Sequence, residues 1–151
     1  TAEKAKRPYV HRGSNRDVSP EENLRQYAAN PAPILLKVND GHTVTFVDQV
    51  RGRVDVKTDT IRDPALLRAP GADGVCRALY SFATVVDEID FGITHVIRAE
   101  EHLANTPVQI LIFEALGANP PEFGHIPLVY YNGKKMAKRD LPPLSATEIA
   151  S

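Results

Sequence analysis

The sequence predicts an α/β protein of single-domain size, and three observations carry that reading. A strand, a crossover helix and a second strand follow one another from Ile93 to Leu128, the order of a βαβ unit. From Ile34 to Leu67 the segments ILLKV, TVTFVD, RVDVKT and PALLRA alternate with turn residues, the pattern of a small antiparallel sheet. Two helix starts pair a capping residue with proline, at Ser19-Pro20 and Thr106-Pro107. A Ser or Thr oxygen there accepts a free amide, and proline suits the first helical position. With 151 residues the chain can bury one real core, or divide into two small lobes that share an interface.

Composition narrows the classes of function. The formal net charge is −1, with 42% hydrophobic and 25% charged residues. That balance excludes a generally basic protein that coats nucleic acid, while local patches remain free to bind phosphate. The single cysteine, Cys76, makes neither an internal disulfide nor a zinc cluster and fits a reducing cytoplasm. The most apolar run, Val108 to Leu116, is interrupted by Glu114 and falls short of the roughly 18 apolar residues of a membrane span. The charged N-terminus lacks the apolar centre of a signal peptide. A first residue that is threonine rather than methionine points to a fragment, a processed chain or a truncated form.

Taken in order, residues 1–16 carry Lys4, Lys6, Arg7, Arg12 and Arg16 against Glu3 alone, which predicts an extended, solvated lead-in. A phosphate-touching arm is the other reading of the same charges. Ser19-Pro20-Glu21-Glu22 opens a helix with a capping box, and Pro31 and Pro33 require it to stop near Ala29. In the β region Arg51-Gly52 marks a turn between strands. His11 and His42 are isolated and read as surface or turn residues. Residues 68–79 form a loop. Tyr80 to Asp90 is a helix whose core face is Phe82, Val85, Val86 and Ile89, with Gly92 ending it. Ile93 to Ile97 reads as a short buried strand. The helix opening at Thr106 is apolar all round and stops at Gly117, as expected of one packed on a sheet. Gly124-His125 precedes a strand over Ile126–Tyr131, and Asn132-Gly133 is a tight-turn signal.

Two clusters carry chemistry. At the end of the Ile93–Ile97 strand stand Arg98, Glu100, Glu101 and His102, and the carboxyl end of a strand in an open α/β sheet is where ligands sit. Behind the Asn132-Gly133 turn, Lys134, Lys135, Lys138 and Arg139 place four cations in six positions. Each cluster by itself is also the composition of a solvated surface loop or an exposed basic hairpin.

Their order decides the matter. ITHVIRAEEHLANTPVQ, then EALG, GHIPLVY and KKMAKR, resembles the second half of the catalytic core of bacterial-type glutamyl-tRNA synthetases, whose pattern runs ITHVIRGEDHL.NTP.Q, LG, P.F.H.PL and K.SKR. The likeness extends from about Asp48, where FVDQVRGRV resembles F.D.VRG.I, to Arg139. It implies the second half of a Rossmann-like nucleotide-binding core, 76–151, preceded by the end of a small mixed α+β inserted domain, 1–75, that meets the acceptor end of tRNA. The implied activity is ATP-dependent activation of L-glutamate, with Mg2+, and transfer to tRNA.

Residue by residue, the resemblance makes Arg98 the reader of the glutamate side-chain carboxylate, because a guanidinium grips a carboxylate with two parallel hydrogen bonds. Tyr80 matches a tyrosine of the same pocket, and Thr84 stands where some members carry asparagine. Glu101 and His102 fall beside the adenosine. Met136 and Lys138 belong to the loop that closes on ATP, and Lys135 and Lys138 to the charge stabilisation of its phosphates. His125 reads as structural, although the family carries a histidine here near the nucleotide.

The sequence departs from the pattern in places. Ala137 replaces a serine, a loss on the order of one hydrogen bond or about 1 kcal/mol, and Glu88 replaces a second aspartate. The loop before Tyr80 is longer and lacks a proline. No counterpart of the HIGH-like motif is present in the 151 residues. The expectation is therefore a fragment of a glutamate–tRNA ligase that is inactive alone. The alternatives are a non-catalytic paralogue binding ATP or RNA, and an enzyme attaching glutamate to a modified base of tRNA.

Overall fold

The computed structural model describes residues 12–128 in full and the backbone alone of 130–131 and 134–135. Met136, Ala137, Lys138 and Arg139 lie outside the described residues, as do residues 1–11, so the basic loop and most of the lead-in are expectations on which the fold is silent.

Helix α1 (Pro20–Ala29) starts at the predicted cap, where Ser19 Oγ accepts from the amide of Glu22 at 3.3 Å. The Glu22 carboxylate turns along the helix and accepts from Gln26 Nε2 at 3.0 Å. Strand β1 (Ile34–Leu35) pairs antiparallel with β4 (Ala65–Leu67). Between them β2 (Thr43–Asp48) and β3 (Gly52–Lys57) make an antiparallel hairpin, in register from Thr43 opposite Lys57 to Asp48 opposite Gly52. Gly52 closes its turn at φ 77°, a left-handed conformation that an L side chain resists. Helix α2 (Tyr80–Asp90) is followed by β5 (His95–Ala99), a 3₁₀ segment (Glu100–Asn105), α3 (Thr106–Ala115) and β6 (Glu122–Ile126). Backbone pairing joins β7 (Tyr130–Tyr131) to β8 (Lys134–Lys135), and the Asn132-Gly133 turn signal lies outside the described residues.

The spatial order of the principal sheet is β3-β2-β6-β5. Strands β5 and β6 run parallel through five residue pairs, and β6 continues parallel to β2 at Asp48 and Phe123. The β5–α3–β6 crossover is the predicted βαβ unit, and the antiparallel hairpin extends its sheet. Helix α3 lies between two apolar clusters, which is why its sequence is apolar all round. Ile110 joins Val38, Val44, Ile61 and Phe123 on the sheet side. Ile112 and Phe113 join Val85 on the other, with Leu36, Leu66 and Phe82 at the margin. Burying each such side chain contributes about 1.5–3 kcal/mol.

Four expectations are corrected. The Ile93–Ile97 strand begins two residues later, at His95, and both isoleucines lie on an open face, 43% and 60% exposed. The strand expected over Ile126–Tyr131 instead ends at Ile126, with Gly124 and His125 inside it. Phe123 and His125 point inward and are buried, and the glycine between them lies under Ile97 from β5. Thr106 is a helical residue rather than a cap, because its hydroxyl is taken by Arg98 and His125. The end of the lead-in is anchored, not solvated. Asp63, 4% exposed, accepts from the amides of Gly13 (2.8 Å) and Val38 (3.0 Å) and from Arg16 Nη1 at 2.9 Å. Arg12 reaches the same carboxylate and also pairs with Asp40. A buried carboxylate needs such partners.

Candidate functional site

The carboxyl end of β5 and the first turns of α2 and α3 bring together Arg98, Tyr80, His102, Thr106 and Gln109. The strand period turns Val96 and Arg98 toward α3 and leaves His95 and Ile97 on the open face. Arg98 thus enters the protein rather than the solvent. Its Nε donates to His125 Nε2 at 3.0 Å. Its Nη2 donates to Gln109 Oε1 at 2.7 Å and Thr106 Oγ1 at 2.8 Å. The guanidinium carbon sits 5.6 Å from the centre of the Phe123 ring, which also stacks on the His125 ring at 6.3 Å and meets the Phe46 ring edge-on at 6.0 Å.

Arginine only donates, so Gln109 presents its oxygen to Arg98 and its Nε2 to Thr84 Oγ1, 2.8 Å away. Thr84 in turn donates to the carbonyl of Tyr80 at 3.0 Å. On the far side His125 Nδ1 meets Asp48 Oδ2 at 2.5 Å, and Asp48 Oδ1 accepts from the amides of His125, Val50 and Arg51 at 2.9–3.1 Å. Burial opposes ionisation of Asp48, but the His125 ring and those three amides outweigh it and hold its pKa at about 2. Asp48, His125, Thr106 and Gln109 are all at most 1% exposed.

Around this buried relay lie the more accessible groups. Tyr80 is 54% exposed, and its ring centre is 6.3 Å from that of His102. Burial lowers the pKa of Arg98, countered by Tyr80 and by the charge of Glu88. Burial likewise raises that of Glu88, opposed by the Arg98 charge and assisted by Asp87. Glu88 Oε2 is buried without a hydrogen-bond partner among the described residues, so Glu88 and Arg98 feel one another across a partly dehydrated space. His102 Nε2 lies 3.9 Å from Glu101 Oε1. Glu100 pairs with Arg51 at the β2–β3 turn and accepts from the Leu128 amide at 3.2 Å, which ties the hairpin to the segment that follows β6. An open groove of about 960 Å³, lined by Val54, Ile61, Glu101, Leu103 and Val108 among others, runs from β3 past Glu101.

Of the sequence-predicted residues, Tyr80, Arg98 and His102 converge, and Glu101 adjoins His102. Lys135 has its backbone in β8, while Met136 and Lys138 lie outside the described residues. Sequence reasoning missed Asp48, Gln109 and Thr106. The only signal was that all three fall within the ordered resemblance, at FVD and NTPVQ.

Comparison with known proteins gives a consistent answer. The profile of tRNA synthetases class I (E and Q), catalytic domain, matches residues 1–150. The glutamate–tRNA ligase of Symbiobacterium thermophilum is 46% identical over 126 residues, 83% of this chain and 25% of that protein. The glutamate–tRNA ligase of Trichodesmium erythraeum is 49% identical over 122 residues, 80% of this chain and 14% of that one. The fold is similar to the crystal structure of a glutamate tRNA ligase from Elizabethkingia meningosepticum in complex with its amino acid. There the TM-score is 0.70 at 30% identity, over 91% of this chain and 28% of that one. The chain thus spans a quarter or less of the length of these two curated relatives. With its profile matched across nearly every residue and its fold matched by a ligase of the same kind, the chain belongs to the class I tRNA synthetases of the E and Q type, within their catalytic domain.

Proposed function

We propose that this chain is the second half of the catalytic core of a glutamate–tRNA ligase, with residues 1–75 as the end of the inserted domain and 76–151 as the nucleotide-binding part. The observation that carries the reading is the placement of Arg98. It is held through Nε and Nη2 at the carboxyl end of β5 beside Tyr80, so that Nη1 is not used by the relay. The charge of Arg98 has no carboxylate bonded to it within the relay, so a charge-assisted bond from Nη1 favours a carboxylate ligand over an amide. Arg98 and Tyr80 bind the glutamate side chain, and Glu101 and His102 flank the adenosine of ATP.

Met136 and Lys138 close on the nucleotide, and Lys135 and Lys138 neutralise charge developing on its Mg2+-bound phosphates. Joining glutamate to ATP as a mixed anhydride and passing the acyl group to a tRNA hydroxyl requires no covalent enzyme intermediate. Positioning and charge neutralisation supply the rate. A basic loop that opens and closes suits that task.

ATP–pyrophosphate exchange tests the reading, with glutamate and with glutamine, with and without tRNA. The chain alone is expected to be silent. Supplied with a HIGH-motif half from the same family, it is expected to exchange with glutamate and to lose exchange on Lys135→Ala or Lys138→Ala. Exchange by the chain alone would overturn the half-site assignment. A preference for glutamine would overturn the substrate. Nucleotide binding without exchange in the supplemented protein would mark a non-catalytic module.

A further inference from the structure

The buried ends of the relay raise a question of design: a carboxylate and a guanidinium share one core, yet a neutral ring is set between them. Were Asp48 paired directly with Arg98, a resident carboxylate would neutralise the guanidinium in place of a ligand. Instead Arg98 Nε is 3.0 Å from His125 Nε2, and Asp48 Oδ2 is 2.5 Å from His125 Nδ1. Arg98 can only donate and the Asp48 carboxylate can only accept. His125 must therefore carry its proton on Nδ1 and present a bare Nε2.

We propose that Asp48 and His125 are positioning residues for Arg98: Asp48 fixes the Nδ1–H tautomer of His125, whose Nε2 then orients the guanidinium and leaves its Nη1 group for the carboxylate ligand. The ligand clause rests on the function proposed above; the tautomer clause stands on geometry alone. The same chain of bonds continues through Gln109 and Thr84 to the Tyr80 carbonyl. The end of β2 thus sets the relative placement of Arg98 and Tyr80, two residues on different elements.

Asp48→Asn reverses a single bond. The asparagine oxygen keeps the amides of His125, Val50 and Arg51 on the Oδ1 side, and its NH2 faces His125 Nδ1. His125 must then accept there and carry its proton on Nε2, which sets N–H against the N–H of Arg98. Histidine 15N–1H correlation spectra of this chain are expected to show the Nδ1–H tautomer of His125, and the Nε2–H form in Asp48→Asn. An Nε2–H ring or an imidazolium in the unmutated chain near neutral pH would overturn the proposal. In the supplemented protein the glutamate KM is expected to rise about tenfold or more in Asp48→Asn, the scale of one hydrogen bond to a charged group. The ATP KM should stay within about twofold. His125→Gln, which retains an acceptor for Arg98, should recover part of the glutamate KM lost in His125→Phe.

An unchanged glutamate KM in Asp48→Asn would overturn the positioning role. Absence of glutamate-dependent exchange in the unmutated, supplemented protein would overturn the functional reading instead, and the tautomer spectra would then decide the relay by themselves.

Discussion

Arg98 is held by three different side chains, and that makes lysine a poor substitute for it. A lysine ammonium retains the charge but has neither the Nε–H that meets His125 nor the planar fork that meets Gln109 and Thr106. Arg98→Lys is therefore expected to raise the glutamate KM nearly as far as Arg98→Ala, by about tenfold or more. Steady-state exchange in the supplemented protein measures it, and an unchanged constant in Arg98→Ala would sink the assignment of Arg98.

Asp63 makes a separate case, because its work is structural. Burial works against its ionisation, but the amides of Val38 and Gly13 and the Arg16 guanidinium outweigh it and keep its pKa below the usual value. Asp63→Ala takes the carboxylate from Arg16 and leaves the Gly13 and Val38 amides without their acceptor, at a cost of about 3 kcal/mol or more by urea denaturation. Asp48 and Asp63 both have folded pKa values below the unfolded carboxylate value of about 3.9. Their contribution is complete above that value and is lost as pH falls through the folded values, toward about 2 for Asp48. Urea midpoints should be level between about pH 7 and 5 and fall below about pH 4, less steeply in Asp63→Ala. Arg98 was legible in the sequence because it ends a strand inside an ordered motif. Asp63 was not, since its partners Gly13 and Arg16 are some fifty residues away and no local pattern reports a distant carboxylate.

At the level of elements, what could be read from the sequence was whatever local chemistry decides alone. The Ser19-Pro20 start of α1, the full extent of α2 and the β2–β3 hairpin are set by caps, periodicity and a turn glycine, and each lies where those signals put it. The α2 stop is the sharpest case. Gly92 has φ 61°, and the next amide, of Ile93, donates back to the Glu88 carbonyl at 2.9 Å, which closes the last turn. An added Cβ would meet nothing within 4 Å, so Gly92→Ala costs only the backbone preference, about 1 kcal/mol or somewhat more. Thermal denaturation should show that loss with the glutamate KM unchanged. Where distant partners compete, local signals misled. The Thr106-Pro107 pair has the look of a helix start, yet Thr106 Oγ1 belongs to Arg98, and the helical path already begins at Glu100. The glycine inside β6 hid a strand that exists because Phe123 and His125 fill the space beneath α3.

At the scale of the whole molecule, the principal sheet is covered on one face only among the described residues. Helix α3 and the apolar clusters shield the inner face, whereas Val47, Ile97 and Ile126 are 66%, 60% and 48% exposed on the other, with Val50 50% exposed beside them. Ile97 and Val50 meet over Gly124, across β5, β6 and the end of β2, so these two side chains form a patch rather than scattered singles. Parallel strands are normally buried on both faces, and contiguous apolar surface of this kind drives association. Among the described residues strand β5 also ends the sheet, which adds a row of unpaired backbone groups. The isolated chain is therefore expected to self-associate in a concentration-dependent way, seen by light scattering as a mass above 16.6 kDa. Replacing Ile97 and Ile126 together with lysine should restore a monomer without lowering the unfolding midpoint, because neither side chain enters the buried clusters. A monodisperse monomer before any substitution would show that the open face is tolerated in water. Association that persists unchanged in the double variant would move the contact elsewhere, to the β5 edge or to the basic loop.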